Sequence, residues 1–222
     1  TNLRTGGAQA RFGEVYEAAF GSMIPKATLE EGLRQINSGP SLETMIANNG
    51  GLNQQRIEGG MTALCEALAN DLGEVVRLGN PVTKVTHGDT AVVTLASGET
   101  VEARTVVSTL PPRLAVALEY DPPLPQWRRD VAEKVAPGNV IKAYLVYETP
   151  FWRERGLSGQ SSSDEGAVRV TFDTTPADST RGLLMGFFEG NEADSLAHRS
   201  LETRRRAFVE SAVRAFGEEA AE

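Results

Sequence analysis

The 222-residue chain is 40% hydrophobic and 23% charged, a composition of folded domains rather than of disorder. Its 22 basic and 30 acidic residues give a formal net charge of −8, and the one basic run, Arg204 to Arg206, is interleaved with Glu202 and Glu210 at helical spacing, which argues against a nucleic-acid surface. A single cysteine, Cys65, excludes an internal disulfide and a cysteine-based zinc cluster, and His87 and His198 stand far apart without ligand spacing, so no metal site is expected. The longest apolar run, Leu183 to Phe188, is far short of the roughly 20 residues of a membrane span. No membrane segment is expected, and the protein reads as cytoplasmic. Thr1 to Arg4 contains neither an initiating Met nor an apolar leader, and Glu222 falls within a helical pattern, so both ends read as cut.

The first 75 residues read mostly as helix. Phe12, Val15, Tyr16, Ala19 and Phe20 recur at three- and four-residue spacing, and Leu29, Leu33 and Ile36 resume the period after Pro25. Thr28 and Glu31 form a capping box for the second helix, which Asn37-Ser38-Gly39-Pro40 ends. Gln54 to Glu58 reads as a short strand that Gly59-Gly60 turns into a helix over 61–72. Leu64, Leu68 and Leu72 share one face of that helix, and Cys65 lies in its apolar run and reads as core.

From Val75 the period becomes two. Pro81 to Thr86, Thr90 to Ala96 and Glu99 to Thr109 read as a three-stranded antiparallel meander with turns at Gly88-Asp89 and Ser97-Gly98. Pro111-Pro112 closes it, Pro122-Pro123 with Pro125 marks an extended crossing, and Trp127 to Lys134 reads as helix. Val140 to Tyr147 is apolar on both alternating faces apart from Lys142, so it reads as a central strand. After a Gly- and Ser-rich loop over 156–166, Ala167 to Asp173 and Gly182 to Glu189 form a hairpin beside it, followed by helices at Asp194 to Leu201 and Leu201 to Phe216.

Lys142 is the most informative residue. A lysine inside a strand apolar on both faces costs energy unless an anion or an ordered water holds its ammonium, which marks a candidate site. The alternative is an edge strand whose lysine snorkels to solvent or guards the edge. Gly59-Gly60 before a helix offers backbone N–H groups to an anion, or makes a tight turn. No G-x-G-x-x-G fingerprint follows a strand, so a self-contained dinucleotide site is not supported, and no Ser-His-Asp set or phosphate loop stands out.

Together, the motifs name a family. Arg56-Ile57-Glu58-Gly59-Gly60, Pro81-Val82, Val106-Val107-Ser108-Thr109-Leu110-Pro111-Pro112 and Asp121-Pro122-Pro123-Leu124-Pro125 occur in the order found in flavin-dependent amine oxidases. Gly138-Asn139-Val140-Ile141-Lys142, Pro150-Phe151-Trp152-Arg153, Thr171-Phe172-Asp173 and Met185-Gly186-Phe187 closely resemble the monoamine oxidase branch, and the resemblance covers residues 40–222.

The resemblance implies an α+β fold: a mixed or antiparallel sheet flanked by helices as the substrate domain, with an attached three-stranded meander from the FAD-binding domain. Residues 1–74 would be mainly helical and contribute to the cavity, 75–112 would form the meander, and 113–222 the substrate domain. It implies that an amine is oxidised to an imine by hydride transfer to FAD, with O2 reduced to H2O2. Lys142 would hold a water against flavin N5, Val82 would meet the adenine through its backbone, and Ser108, Thr109 and Leu110 would run along the cofactor. Ile46, Asn53 or Gln54, Val170, Phe172, Met185 and Phe187 would wall an apolar cavity for neutral arylalkyl or alkyl amines, although Met185 and Phe187 read equally well as ordinary sheet core. Val170 stands where mammalian members carry an aromatic gate, which implies a wider cavity. The family's N-terminal Gly-rich turn, and its C-terminal aromatic pair and flavin-linking cysteine, have no counterpart, so the chain resembles the middle of an oxidase, expected to be inactive as an isolated fragment; a homodimer is left open. Alternatives left open are an L-amino-acid or polyamine oxidase, a porphyrinogen or carotenoid oxidoreductase, and a catalytically silent binding module.

Overall fold

The structure, a computed structural model, describes residues 54–135 and 138–222, together with 5–7, 30, 33–34, 37–41, 44–45 and 50–51. The Thr28 and Glu31 capping box, the apolar period from Phe12 to Phe20, and the expected cavity residues Ile46 and Asn53 lie outside the described residues. The fold is α+β with two sheets, one in each of two compact units: residues 43–137, and residues 1–42 with 138–222. Among the described residues no helix is long and apolar enough to cross a membrane.

In the unit of residues 43–137, the expected strand at Gln54 to Glu58 does not form. Its first residue is committed to a local turn: Gln54 N donates to Gly51 O at 3.3 Å, and the Gln54 side chain accepts from Gly50 N at 2.8 Å. Gly59 and Gly60, at φ +76° and +79°, reverse the chain into helix α1, Gly60–Leu72, through a Gly60 N–H to Ile57 O bond of 2.9 Å. This helix buries no residue, and Cys65 is exposed rather than core. Among the described residues no element covers the helix's apolar stripe. An apolar stripe stays open unless a second element covers it, and Leu64, Leu68 and Leu72 remain 41%, 55% and 60% exposed.

Strands β1 (Val82–Thr86), β2 (Ala91–Leu95) and β3 (Thr100–Ala103) pair antiparallel in sequence order. β4 (Glu119–Asp121) adds to β1 in parallel, and Lys84 ties the two together through an ion pair with Glu119 at 2.8 Å. The third strand stops well short of the expected Thr109. Ala103 pairs with Ala91, the first residue of β2, so residues beyond it have no ladder to join. Val85, Ala91 and Leu95 are buried. Helix α2 (Pro112–Ala115) starts on the expected Pro pair, and helix α3 spans Gln126–Lys134.

In the other unit, β5 (Val140–Tyr147), β6 (Ser161–Ser162), β7 (Val170–Asp173) and β8 (Gly182–Glu189) form an antiparallel sheet in the order β5-β8-β7-β6. Among the described residues, β5 is therefore an edge strand and not the expected central one. An apolar run on both faces does not fix a strand's place in its sheet, because one of those faces here stays open: Val140, Tyr144 and Val146 are about half exposed. β7 begins three residues later than expected, since the backbone N–H of buried Val168 donates to Ser211 Oγ at 3.1 Å instead of joining a ladder.

The helices after β8 are also redistributed. Gly190, at φ +52°, turns the chain directly from β8 into α5 (Gly190–Leu196), earlier than the expected Asp194 start. Ser200 then opens α6 (Leu201–Phe216) by accepting a bond from Thr203 N at 3.2 Å, which separates the two helices before Leu201. α6 lies across one sheet face with Phe208, Ala212 and Phe216 buried, and Leu184, Phe188, Trp152 and Val168 complete the core. Leu201, in helical register with Phe208, Ala212 and Phe216 in the sequence, is 76% exposed at the helix start. Gly186 permits this packing: a Cβ there would stand 2.5 Å from Val168 Cγ1 and 2.8 Å from Phe208 Cζ. Each large side chain removed from water here contributes about 1.5–3 kcal/mol.

Helix α4 (Phe151–Glu154) is tied to the end of β7. Trp152 Nε1 and Arg153 Nε donate to Asp173 Oδ2 at 2.9 and 2.7 Å, and Thr175 N donates to Oδ1 at 2.8 Å. Burial pushes the Asp173 carboxyl up, but the bonds from Arg153, Thr175 and Trp152 outweigh it and hold the group below the usual Asp value. Its stabilising contribution is therefore complete above about pH 4 and is lost as the pH falls through the lower folded value. On acidification from about pH 6 to about pH 3, the urea midpoint is expected to fall more steeply for the parent than for Asp173→Asn. Parallel curves would show that the carboxylate adds nothing.

Candidate active site

The strand period of two sorts β5 into two faces. Ile141, Ala143, Leu145 and Tyr147 face the α6 core, while Val140, Lys142, Tyr144 and Val146 line the opposite face. Residues directly opposite on antiparallel strands share a face, and the register pairs Lys142 with Phe187, Tyr144 with Met185, and Phe172 with Met185. Val170, two residues before Phe172 on β7, shares that face. The structure thus brings together five of the expected site residues, Lys142, Val170, Phe172, Met185 and Phe187, on the sheet face turned away from α6.

Their surroundings are aromatic. The Phe172 and Phe187 rings meet edge to face with centroids 6.3 Å apart, and Lys142 Nζ stands 5.7 Å from the centroids of both Tyr144 and Phe187. Met185 is buried, Val170, Phe172 and Phe187 are half-buried, and Lys142 is exposed. The desolvation expected of Lys142 is therefore absent, because its face of the sheet is open. The edge-strand alternative holds for this residue: β5 is an edge strand among the described residues and Lys142 is exposed on it, with its ammonium over the ring of Phe187 on the neighbouring strand. Among the described residues no carboxylate pairs with Nζ. An ammonium without a carboxylate partner, set on an apolar aromatic face, suits an electron-accepting ring system that gains negative charge when reduced, and these residues fit a flavin.

The remaining expected residues lie in the unit of residues 43–137. Val82, half-buried, opens β1 opposite Leu95, with a register shift between it and Lys84. Ser108, Thr109 and Leu110 are exposed in the segment between β3 and α2. Gln54 is exposed and its side chain closes the turn onto Gly50. Gly60 N–H is used in its own turn, so the Gly59-Gly60 pair acts as the tight turn. Tyr144 escaped the sequence reading. The signal that could have found it is its position two residues beyond Lys142, hence on the same face.

Residues 8–222 match the family described as flavin containing amine oxidoreductase. A protein of Mycobacterium tuberculosis named as a flavin-containing monoamine oxidase is 38% identical over 188 residues, covering 84% of this chain and 40% of that protein. The putrescine oxidase of Kocuria rosea is 38% identical over 178 residues, covering 75% of this chain and 37% of its own. A solved triple mutant of putrescine oxidase superposes with a TM-score of 0.92 at 30% identity, over 98% of this chain and 49% of the other. The chain thus spans about 40% of the length of these curated relatives. The match over nearly its whole length, by sequence and by fold, makes this chain a member of the flavin containing amine oxidoreductase family.

Proposed function

We propose that this chain supplies the substrate-facing sheet of an enzyme that oxidises an amine to an imine, with FAD as cofactor and O2 as final acceptor. The observation that carries this is the ammonium of Lys142, without a carboxylate partner among the described residues, beside the Phe187 ring on an open apolar sheet face. FAD, when bound, would supply the hydride acceptor for the amine α-carbon and the electron pair that reduces O2, with two protons, to H2O2. Lys142 holds a water and stabilises negative charge at that point without acting as a base. Phe172, Phe187, Met185 and Val170 form the apolar wall that orients the neutral amine and excludes water from its α-carbon. The imine leaves and hydrolyses to a carbonyl compound.

Within this assignment residues 75–112, with Val82, Ser108, Thr109 and Leu110, belong to the FAD-binding domain and residues 113–222 to the substrate domain, although β4 and α3 lie in the compact unit of residues 43–137. The family resemblance assigns Ile46, Asn53 and Gln54 to substrate binding as well. The wall residues carry no charge other than Lys142, which favours monoamines. A second assignment, to diamines, is favoured by the likeness to putrescine oxidases, one of which was solved with putrescine bound.

A peroxide-release assay on the flavin-loaded protein separates these readings. Benzylamine, phenethylamine and butylamine are expected to turn over with higher kcat/KM than putrescine, and α-amino acids not at all. Turnover led by putrescine would favour the diamine reading, and turnover of α-amino acids alone would overturn both.

A further inference from the structure

We propose that Tyr144 is a positioning residue for Lys142: its ring and that of Phe187 form an aromatic clamp that fixes the lysine ammonium over the sheet face. Lys142 and Tyr144 are two residues apart on β5 and so project from one face, while Phe187 is directly opposite Lys142 on β8. Nζ is 5.7 Å from both ring centroids, within the distance at which a ring's negative face attracts a cation. A flexible four-carbon stem otherwise leaves an exposed ammonium free to sample many rotamers. Two rings on different strands restrict it without neutralising it, as a carboxylate would. The ammonium therefore keeps its charge available for the reaction. Phe187 also meets Phe172 edge to face, so the clamp is continuous with the wall assigned to the substrate.

The ring of Tyr144 matters in this assignment, and its hydroxyl does not. Its conversion to Phe keeps the clamp and its conversion to Leu opens it. Tyr144 is 49% exposed, so neither change disturbs the core.

The clamp rests on the oxidase reading only for its consequence in catalysis, and two measurements keep the two apart. The chain contains four lysines, which makes selective labelling of lysine Cε with carbon-13 practical. In the parent, the Lys142 Hε signals are expected upfield of the other lysines, with Overhauser contacts to the Tyr144 and Phe187 rings. They should return toward the position of a solvated lysine in Tyr144→Leu and stay shifted in Tyr144→Phe. A parent signal already at the solvated position, or one that Tyr144→Leu does not move, would overturn the clamp.

In the flavin-loaded protein, Tyr144→Leu is expected to slow the Lys142-dependent half-reaction about two- to fivefold, the range an exposed cation–π contact spans when expressed as a rate. Tyr144→Phe should recover most of that loss. Tyr144→Leu should cost nothing further in a Lys142→Met background. An equal cost in that background would make Tyr144 merely structural and would overturn the positioning role. If instead Lys142→Met alone has no effect while the lysine signals still report both rings, the clamp stands and the role given to Lys142 in the oxidase falls.

Discussion

Lys142→Met in the flavin-loaded protein is expected to slow flavin reduction by amine, flavin reoxidation by O2, or both, by about a hundredfold or more. Methionine matches much of the length and apolar volume of lysine, so the variant removes the charge and donor and leaves the sheet in place. Because Lys142 is exposed on an edge strand, the substitution carries little folding cost. Loss of one donor aimed at a site of developing charge is worth about two to three orders of magnitude in rate. Stopped-flow absorbance under anaerobic and then aerobic conditions reads the two half-reactions separately. Rates within about twofold of the parent in both would remove Lys142 from the mechanism.

Trp152→Ala is expected to lower the unfolding free energy by about 3–5 kcal/mol, read from urea denaturation of the chain. Trp152 is fully buried, meets Tyr147 and Phe151 edge to face at 5.8 and 5.2 Å, and donates to Asp173. Alanine leaves a cavity at the junction of α4, α6 and the end of β7. Trp152→Phe keeps most of the apolar volume but drops the donor, and should cost about 1–3 kcal/mol. This clasp holds the residue next to Phe172, so its loss loosens the sheet face as well as the core. A cost below about 1 kcal/mol for Trp152→Ala would show that the α4 segment is not integral to the unit.

Legibility in the sequence followed the strength of local periodicity. β5, β8 and α6 are readable to the residue, because Val140–Tyr147 and Gly182–Glu189 are compact apolar runs bounded by turn residues and Phe208, Ala212, Val213 and Phe216 recur at helical spacing. What depends on distant partners is not. Whether β5 is central or at the edge, where β3 loses its neighbour, and whether the α1 stripe with Cys65 is covered are decided by other segments.

The site divides in the same way. Lys142 stood out as the one charge in an apolar strand, and the family resemblance pointed to Val170, Phe172, Met185 and Phe187. That these share one face follows from the β5–β8–β7 register, which the separate strand patterns did not contain. Tyr144 was invisible because a tyrosine in an apolar strand is compositionally ordinary. Its relation to Nζ exists only in three dimensions.

The most direct test of amine oxidation over the Lys142 face is anaerobic titration of the flavin-loaded protein with phenethylamine, followed through the visible flavin band. The band is expected to bleach as amine is added and to return on admission of air, with one H2O2 formed per flavin reoxidised. A band that stays unchanged at saturating concentrations of arylalkyl amine, alkyl amine and putrescine alike would contradict the assignment.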